Sequence, residues 1–290
     1  MRANTRRFPY EYLLPPLILA GLVWVVPLIY SVALSMIDYD KAGLFVGAAN
    51  YLKAPADPRF RGALRVSFLF AGGAALLHVT IGLLLALIYR RQPKQRAAVQ
   101  TALLVPWVLS ELAVALIWQG FLAERTGLVN AALVALDLNP QPWLSNPRFA
   151  MVSLWLAHLW RGLAFSTMIQ MGGIQSLPEN PIRAARIDGA SRWMIFRYIV
   201  LPHQWRYLVV NALAVLLAAT TTFSLPFALT GGGPVHATET LTLYAYRTAF
   251  AGEFQLGYAA AQGMVVLLLY GVVMAFIIPI RVRARLAVRP

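Results

Sequence analysis

The sequence predicts an all-α integral membrane protein with six transmembrane helices. Three observations carry that prediction. Of the 290 residues, 59% are hydrophobic and only 12% are charged, against roughly 25% charged in an ordinary soluble domain. Mean hydropathy is +0.64. A soluble fold of this length would leave large apolar patches facing water.

A bilayer core about 30 Å thick needs roughly 20 mostly apolar residues in a helix, because lipid offers backbone groups no water. Six segments qualify, at 11 to 36, 63 to 89, 97 to 122, 149 to 175, 206 to 230 and 256 to 280. The first follows a basic N-terminus, MRANTRRFPYEY, with no small-residue cleavage site, so it reads as a retained membrane helix rather than a signal peptide. No repeat or low-complexity linker divides the chain, and residues 1–290 read as one membrane domain.

The net charge of +14 and pI of about 10.6 raise nucleic acid as a partner. The basic residues instead cluster between apolar runs, and no finger, basic zipper or RNA-binding signature accompanies them. Sixteen of the 25 fall on one side: Arg2, Arg6 and Arg7, the loop RRQPKQR, five arginines between 183 and 206, and four in the tail. Seven fall on the other: Lys41, Lys53, Arg59, Arg61, Arg125, Arg148 and Arg247. Positive loops stay inside, which puts both termini in the cytoplasm. Arg65, near a span end, can snorkel. Arg161 lies near the middle of the fourth span, where a charge marks a functional cavity by default.

There is no cysteine, hence no disulfide, thiolate metal site or cysteine nucleophile. Four scattered histidines offer no metal cluster, so no catalytic and no metal-binding residues are expected.

The segment after the fourth span, SLPENPIRAARIDGASRWMIFRYIVLPHQWR, is too polar to cross a bilayer. Asn180 is a good N-cap and Pro181 suits the first helical position. A first helix should end near Asp188 and Gly189, where Gly tolerates the left-handed turn. Ser191 can cap a second helix whose apolar residues Trp193, Phe196 and Ile199 recur at helical spacing. Leu201 and Pro202 lead into the fifth span. On physics alone this is a positively charged loop with interfacial aromatics.

The run AARIDGASRWMIFRYIVLP resembles the cytoplasmic signature of binding-protein-dependent ABC importer permeases. Ala184, Ala185, Asp188, Gly189, Ala190, Phe196, Ile199, Leu201 and Pro202 match its pattern. The resemblance implies the type I importer permease fold, with residues 178–206 forming a cytoplasmic coupling loop whose helix docks on an ATPase subunit. The chain departs from the pattern at Arg183, where the family usually has Glu, and at Arg206, where it usually has Pro.

Further tracts are similar to the sugar branch, in particular the larger permease subunit of maltose-type systems. They are FVGAANY with DPRF, LLVPWVLSELAVALIW, WLSNPRFAM, LAHLWRGLAF and LTGGGPVHATETLTLYAYRTAF, in common order. The extra N-terminal spans and large external insertion of some maltose-type permeases are absent. By motif, the resemblance implies substrate contacts at Trp107, Glu111, His158, Arg161, Gly162 and Phe165. On the fifth helix it implies Val215, Ala219 and Thr222, of which the first two offer no hydrogen bond to a hydroxyl.

The residues themselves point to the same places. Glu111, His158 and Arg161 are the ionisable groups deepest in apolar spans, and Thr220, Thr221, Thr222 and Ser224 form the densest hydroxyl cluster. A carboxylate and a guanidinium can clamp vicinal hydroxyls, and Trp107 or Phe165 can stack on a sugar ring. The alternative is that Glu111 and Arg161 pair with each other and that the threonines bond their own helix. His78 reads as a satisfied packing residue, and Gln262 is ambiguous. Pro226 is expected to bend the fifth helix. GGGP at 231–234 lacks the Lys and Ser/Thr of a P-loop and reads as an external turn.

The resemblance thus implies a bacterial or archaeal inner-membrane permease subunit importing a mono-, di- or oligosaccharide. It would pair with a second, homologous permease subunit, an ATPase dimer that carries ATP and Mg, and an extracytoplasmic sugar-binding protein. The chain itself would hold no cofactor and catalyse no reaction. Alternatives are a glycerol phosphate, polyol or amino sugar as cargo, an ATP-independent secondary transporter using Glu111 and His158, or a membrane transferase. The last lacks a clustered acid/base or metal site near an interface.

Overall fold

A computed structural model describes residues 13–38, 43–91, 93–252, 254–269 and 271. The basic N-terminus, Lys41, the tail arginines and most of the sixth expected span beyond Leu269 lie outside the described residues. The described residues are mostly helical, with an antiparallel pair of two-residue strands, β1 (Ile37–Asp38) and β2 (Leu44–Phe45), among them.

In chain order the helices are α1 (Leu14–Ala20), continued through a π turn into α2 (Val26–Ser35), α3 (Ala49–Ala56) and α4 (Pro58–Arg91). Next come α5 (Pro93–Val108), α6 (Glu111–Leu122), α7 (Leu128–Ala135) and α8 (Pro147–Gln175). The series ends with α9 (Glu179–Ile187), α10 (Arg192–Ile195), a second π turn (Phe196–Val200), α11 (Leu201–Thr221), α12 (Ser224–Thr230), α13 (Leu241–Phe250) and α14 (Leu256–Leu269).

Among the described residues, three helical rods, Leu14–Ser35, Pro58–Arg90 and Arg192–Thr221, are long and apolar enough to cross a membrane. The pair Val99–Val108 and Glu111–Leu122 makes a fourth if counted as one span, but it bends by 103°. The sequence predicts one span over 97–122. The bend arises because Ser110 adopts an extended backbone and caps α6, its hydroxyl accepting from the Ala113 N–H at 3.2 Å. The expected fourth span is a single helix, α8, interrupted in its apolar run by His158, Arg161 and Gln170.

The expected fifth span differs at both ends. It begins at Arg192 and stops at Thr221, with Thr222 extended before α12 starts. Pro226 does not make this bend. It sits in the first turn of α12, where a missing N–H has no intrahelical partner to lose.

The chain forms two compact units, Met1–Pro58 with Ala245–Pro290, and Arg59–Tyr244. In the first, Asn50 donates to the carbonyls of Ser35 and Ile37 at 2.9 and 3.1 Å. Ser35 shares a 2.6 Å bond with Tyr51, and Tyr258 donates to Asp57 at 2.8 Å. Asn50 and Tyr51 of FVGAANY and Asp57 of DPRF therefore brace elements of this unit.

In the second unit α8 packs against α5, α6, α11 and α12. One apolar core gathers Phe70 and Ala74 of α4, Val114 of α6, Leu154 and Ala157 of α8, Val215 and Ala219 of α11, and Leu225 and Leu229 of α12. A second, toward the other end of α8, joins Ala86, Tyr89, Met171, Ile174 and Val200. Small residues let α4 and α8 approach closely. A Cβ added at Gly73 would stand 2.3 Å from the Trp155 ring, whose Nε1 donates to the Phe70 carbonyl at 3.0 Å.

Candidate functional site

Two helix interruptions and one intact helix build the site. α5 stops at Val108 and α6 starts at Glu111, which places Glu111 in the first turn, where a carboxylate complements the positive helix end. Across from it, α11 stops at Thr221 and leaves Thr222 at the second interruption. α8 passes between without a break and supplies Arg161.

The three side chains meet. The Thr222 hydroxyl donates to Glu111 Oε2 at 2.5 Å, and Arg161 Nη1 donates to Glu111 Oε1 at 3.4 Å. Arg161 Nε also donates to the Leu109 carbonyl at 3.3 Å, satisfying a group freed by the end of α5 and setting a cation at that helix's negative end. The Glu111 and Arg161 side chains are 26% and 33% exposed. The guanidinium has five donors and the carboxylate about four acceptor positions, so the pair keeps unused hydrogen-bonding capacity facing outward.

The paired arrangement of Glu111 and Arg161 is thus the one observed. The threonine cluster divides: Thr220 and Thr221 bond the carbonyls of their own helix, at 2.7 Å to Leu216 and 3.0 Å to Leu217, whereas Thr222 reaches the carboxylate. Trp107 and Phe165 are about half exposed, at 48% and 45%. Val215 and Ala219 are buried in the apolar core.

His158 is not brought to Glu111. Its Nδ1 lies 3.1 Å from His78 Nε2, and His78 Nδ1 lies 2.9 Å from the Ser166 hydroxyl, a buried chain linking α4 to α8. The Phe70 ring meets His158 edge-on at 5.4 Å. Gly162 forms the notch that receives His78: a Cβ there would stand 2.5 Å from the imidazole Cε1. His78 packs into this notch, with His158 and Gly162 against it.

The elbow over 178–206 has the predicted helix, break and helix. Its first helix starts at Glu179, one residue before the expected Asn180 cap, with Pro178 as N-cap. Pro181 is tolerated because it still lies in the first turn, and Glu179 pairs with Arg183 one turn on. The helix ends in a Schellman motif. Gly189 takes φ +79°, its N–H bonds the Arg186 carbonyl at 3.2 Å, and the Ala190 N–H bonds the Ala185 carbonyl at 2.9 Å. Ser191 caps the next helix by accepting from the Met194 N–H at 3.2 Å. The expected apolar face is rearranged: Ile195 and Phe196 pack on the second core, while Trp193 stands 68% exposed.

Residues 78–284 match the family of binding-protein-dependent transport system inner membrane components. The chain belongs to that family. The permease is 31% identical to a probable ABC transporter permease protein, y4oQ, of Sinorhizobium fredii, over 86% of this chain and 82% of the relative. It is 31% identical to the trehalose/maltose transport system permease protein MalF of Thermococcus litoralis, over 74% and 73% of the two chains. Its fold is shared with a chain of a bacterial alginate ABC transporter crystallised with an alginate pentasaccharide-bound periplasmic protein. There the TM-score is 0.77 at 22% identity, covering 92% of this chain and 91% of the other. As an inner-membrane component of an ABC transporter, the permease serves transport rather than catalysis.

Sequence reasoning missed where the spans break. One signal was present, a Ser-Glu pair four residues after Pro106, which is helix-start chemistry inside an apolar run; α12 starts after Phe223 with no side-chain cap.

Proposed function

We propose that this permease imports a neutral carbohydrate, with Glu111, Arg161 and Thr222 contacting its hydroxyls. The observation that carries the reading is the Glu111–Arg161 pair, which presents donors and acceptors side by side while its charges cancel. A polyhydroxylated neutral solute matches such a surface by charge-assisted hydrogen bonds, whereas the phosphate of a glycerol phosphate or the ammonium of an amino sugar would compete with one partner. Trp107 and Phe165, both half exposed, are suited to cover the apolar face of a sugar ring. The trehalose/maltose system to whose permease the chain is similar supports this class of cargo.

In this reading the chain is one membrane domain of six spans with cytoplasmic termini, half of a pathway completed by a second permease subunit. A sugar-binding protein delivers solute from outside. An ATPase dimer, which carries the ATP and Mg, engages the elbow, with Arg183, Ala184, Ala185, Asp188, Gly189 and Ala190 toward the ATPase and Phe196, Leu201 and Pro202 tying the elbow to the bundle. The permease itself holds no cofactor. ATP-driven closure of the ATPases opens the pathway outward, and hydrolysis returns it inward.

The test is ATPase stimulation and uptake by the reconstituted complex over a panel of saccharides, glycerol phosphates, polyols and amino sugars. The expected result is a response to a neutral saccharide whose half-saturating concentration rises at least tenfold in Glu111→Gln and in Arg161→Gln. No response to any carbohydrate rejects the reading.

A further inference from the structure

The rod Arg192–Thr221 runs for 30 residues, about 45 Å at 1.5 Å per residue, whereas the hydrocarbon core of a bilayer is about 30 Å thick. Roughly ten residues therefore extend beyond the apolar zone. They lie at the start of the rod, where Arg192 and Arg197 occur with Trp193 and Tyr198; Trp205 and Arg206 follow within about two further turns, from where a long arginine stem reaches back to the interface, and no carboxylate falls between Asp188 and Glu239.

One face of this segment is packed, through Val200, Gln204 and Leu208, and the other is open. Trp193, Tyr198 and Trp205 are 68%, 72% and 62% exposed, and Arg197 and Arg206 are exposed beside them. In an uninterrupted α-helix the nine-residue separation of Arg197 and Arg206 amounts to about 900° and sets them on opposite sides. The π turn at Phe196–Val200 inserts one residue, and the phase shift that accumulates from Arg197 onward reduces that angular separation. The π turn thus gathers the basic and aromatic residues onto the open face. Arg197 lies over the Tyr198 ring at 5.8 Å and Arg206 over Tyr207 at 5.2 Å. Among the described residues neither forms an ion pair.

We propose that this face is a binding site for the headgroups of anionic phospholipids in the cytoplasmic leaflet. A guanidinium matches a phosphodiester in two-point hydrogen bonding. Indole and phenol rings settle where headgroups meet hydrocarbon, and basic residues at that level attract net-negative lipid. A zwitterionic headgroup brings its own cation and gains less. Only the choice of leaflet rests on the proposed topology; the headgroup preference does not.

The test uses the full chain purified in detergent, with bound phosphatidylglycerol and phosphatidylcholine counted by native mass spectrometry. The chain should retain phosphatidylglycerol preferentially. The preference should fall about fivefold for each of Arg197→Gln and Arg206→Gln, equivalent to about 1 kcal/mol per basic residue at an anionic surface, and survive in Arg197→Lys with Arg206→Lys. Arg125→Gln, far along the chain and also exposed, should leave it unchanged. Equal retention of both lipids, an undiminished preference in the double Gln variant, or displacement of the lipid by equimolar inorganic phosphate would each overturn the proposal. The readout needs no sugar or ATPase, so a failed uptake assay and a failed lipid assay are separate results.

Discussion

Thr222 donates a 2.5 Å hydrogen bond to Glu111, joining the point where α11 ends to the point where α6 begins. The residues are 111 positions apart, and their bond ties two broken spans to each other. A hydrogen bond to a charged group contributes about 1.5–3 kcal/mol.

That bond predicts energetic coupling. In thermal unfolding of the detergent-solubilised chain, Thr222→Val and Glu111→Gln should each destabilise, and the double variant should lose about 1–2 kcal/mol less than the sum. Strict additivity would show that the two interruptions are held independently.

Gly162 is a steric notch for His78. Gly162→Ala should lower stability by about 1–3 kcal/mol, the usual range for overpacking. Combined with His78→Ala, the loss should be smaller than the sum of the two single losses, because the clash disappears with the ring. A Gly162→Ala protein as stable as the parent would mean that α4 and α8 can separate freely at this point.

The chain of His78, His158 and Ser166 bonds gives a separate expectation. His78→Leu strands a buried imidazole and a hydroxyl, with an expected loss of about 1–3 kcal/mol. His78→Gln, which keeps a donor and an acceptor, should be milder. Equal melting of the two variants would assign the effect to ring shape alone.

Gly189 at φ +79° cannot be replaced by proline, whose ring fixes φ near −65°. Gly189→Pro should abolish ATP-coupled uptake by the reconstituted complex while membrane insertion, followed by fractionation, stays intact. Asp188→Lys should do the same by removing the carboxylate that the elbow offers the ATPase in the proposed docking. Parental uptake in both variants would remove the elbow from the mechanism.

The parts of this fold legible in the sequence were those set by local chemistry. Gly189 and Ser191 announced the elbow, because a left-handed turn and a helix cap need particular residue types. The apolar runs announced α2, α4 and α8. The breaks were hidden because an apolar run reads as one rod when hydropathy is averaged over it, and a single capping Ser hardly moves that average. In the site, Glu111 and Arg161 were legible as charges in apolar surroundings. Their partnership with Thr222 and Leu109 was not, since it depends on where two helices stop. His158 looked equivalent to Arg161 in the sequence; it went elsewhere because Gly162 opened space for His78 beside it. Trp193 followed helical spacing, yet the π turn after it changed which residues face the core.

The arrangement of Arg161 against the Leu109 carbonyl bears on how the bent span could flex. A kink whose freed backbone oxygen were capped by its own neighbours would be indifferent to the rest of the bundle. Here the cap belongs to another helix, so any tilt of α5 relative to α6 must either carry α8 along or forfeit that bond. The arginine acts as a tether, making the angle of one rod a property of its neighbour.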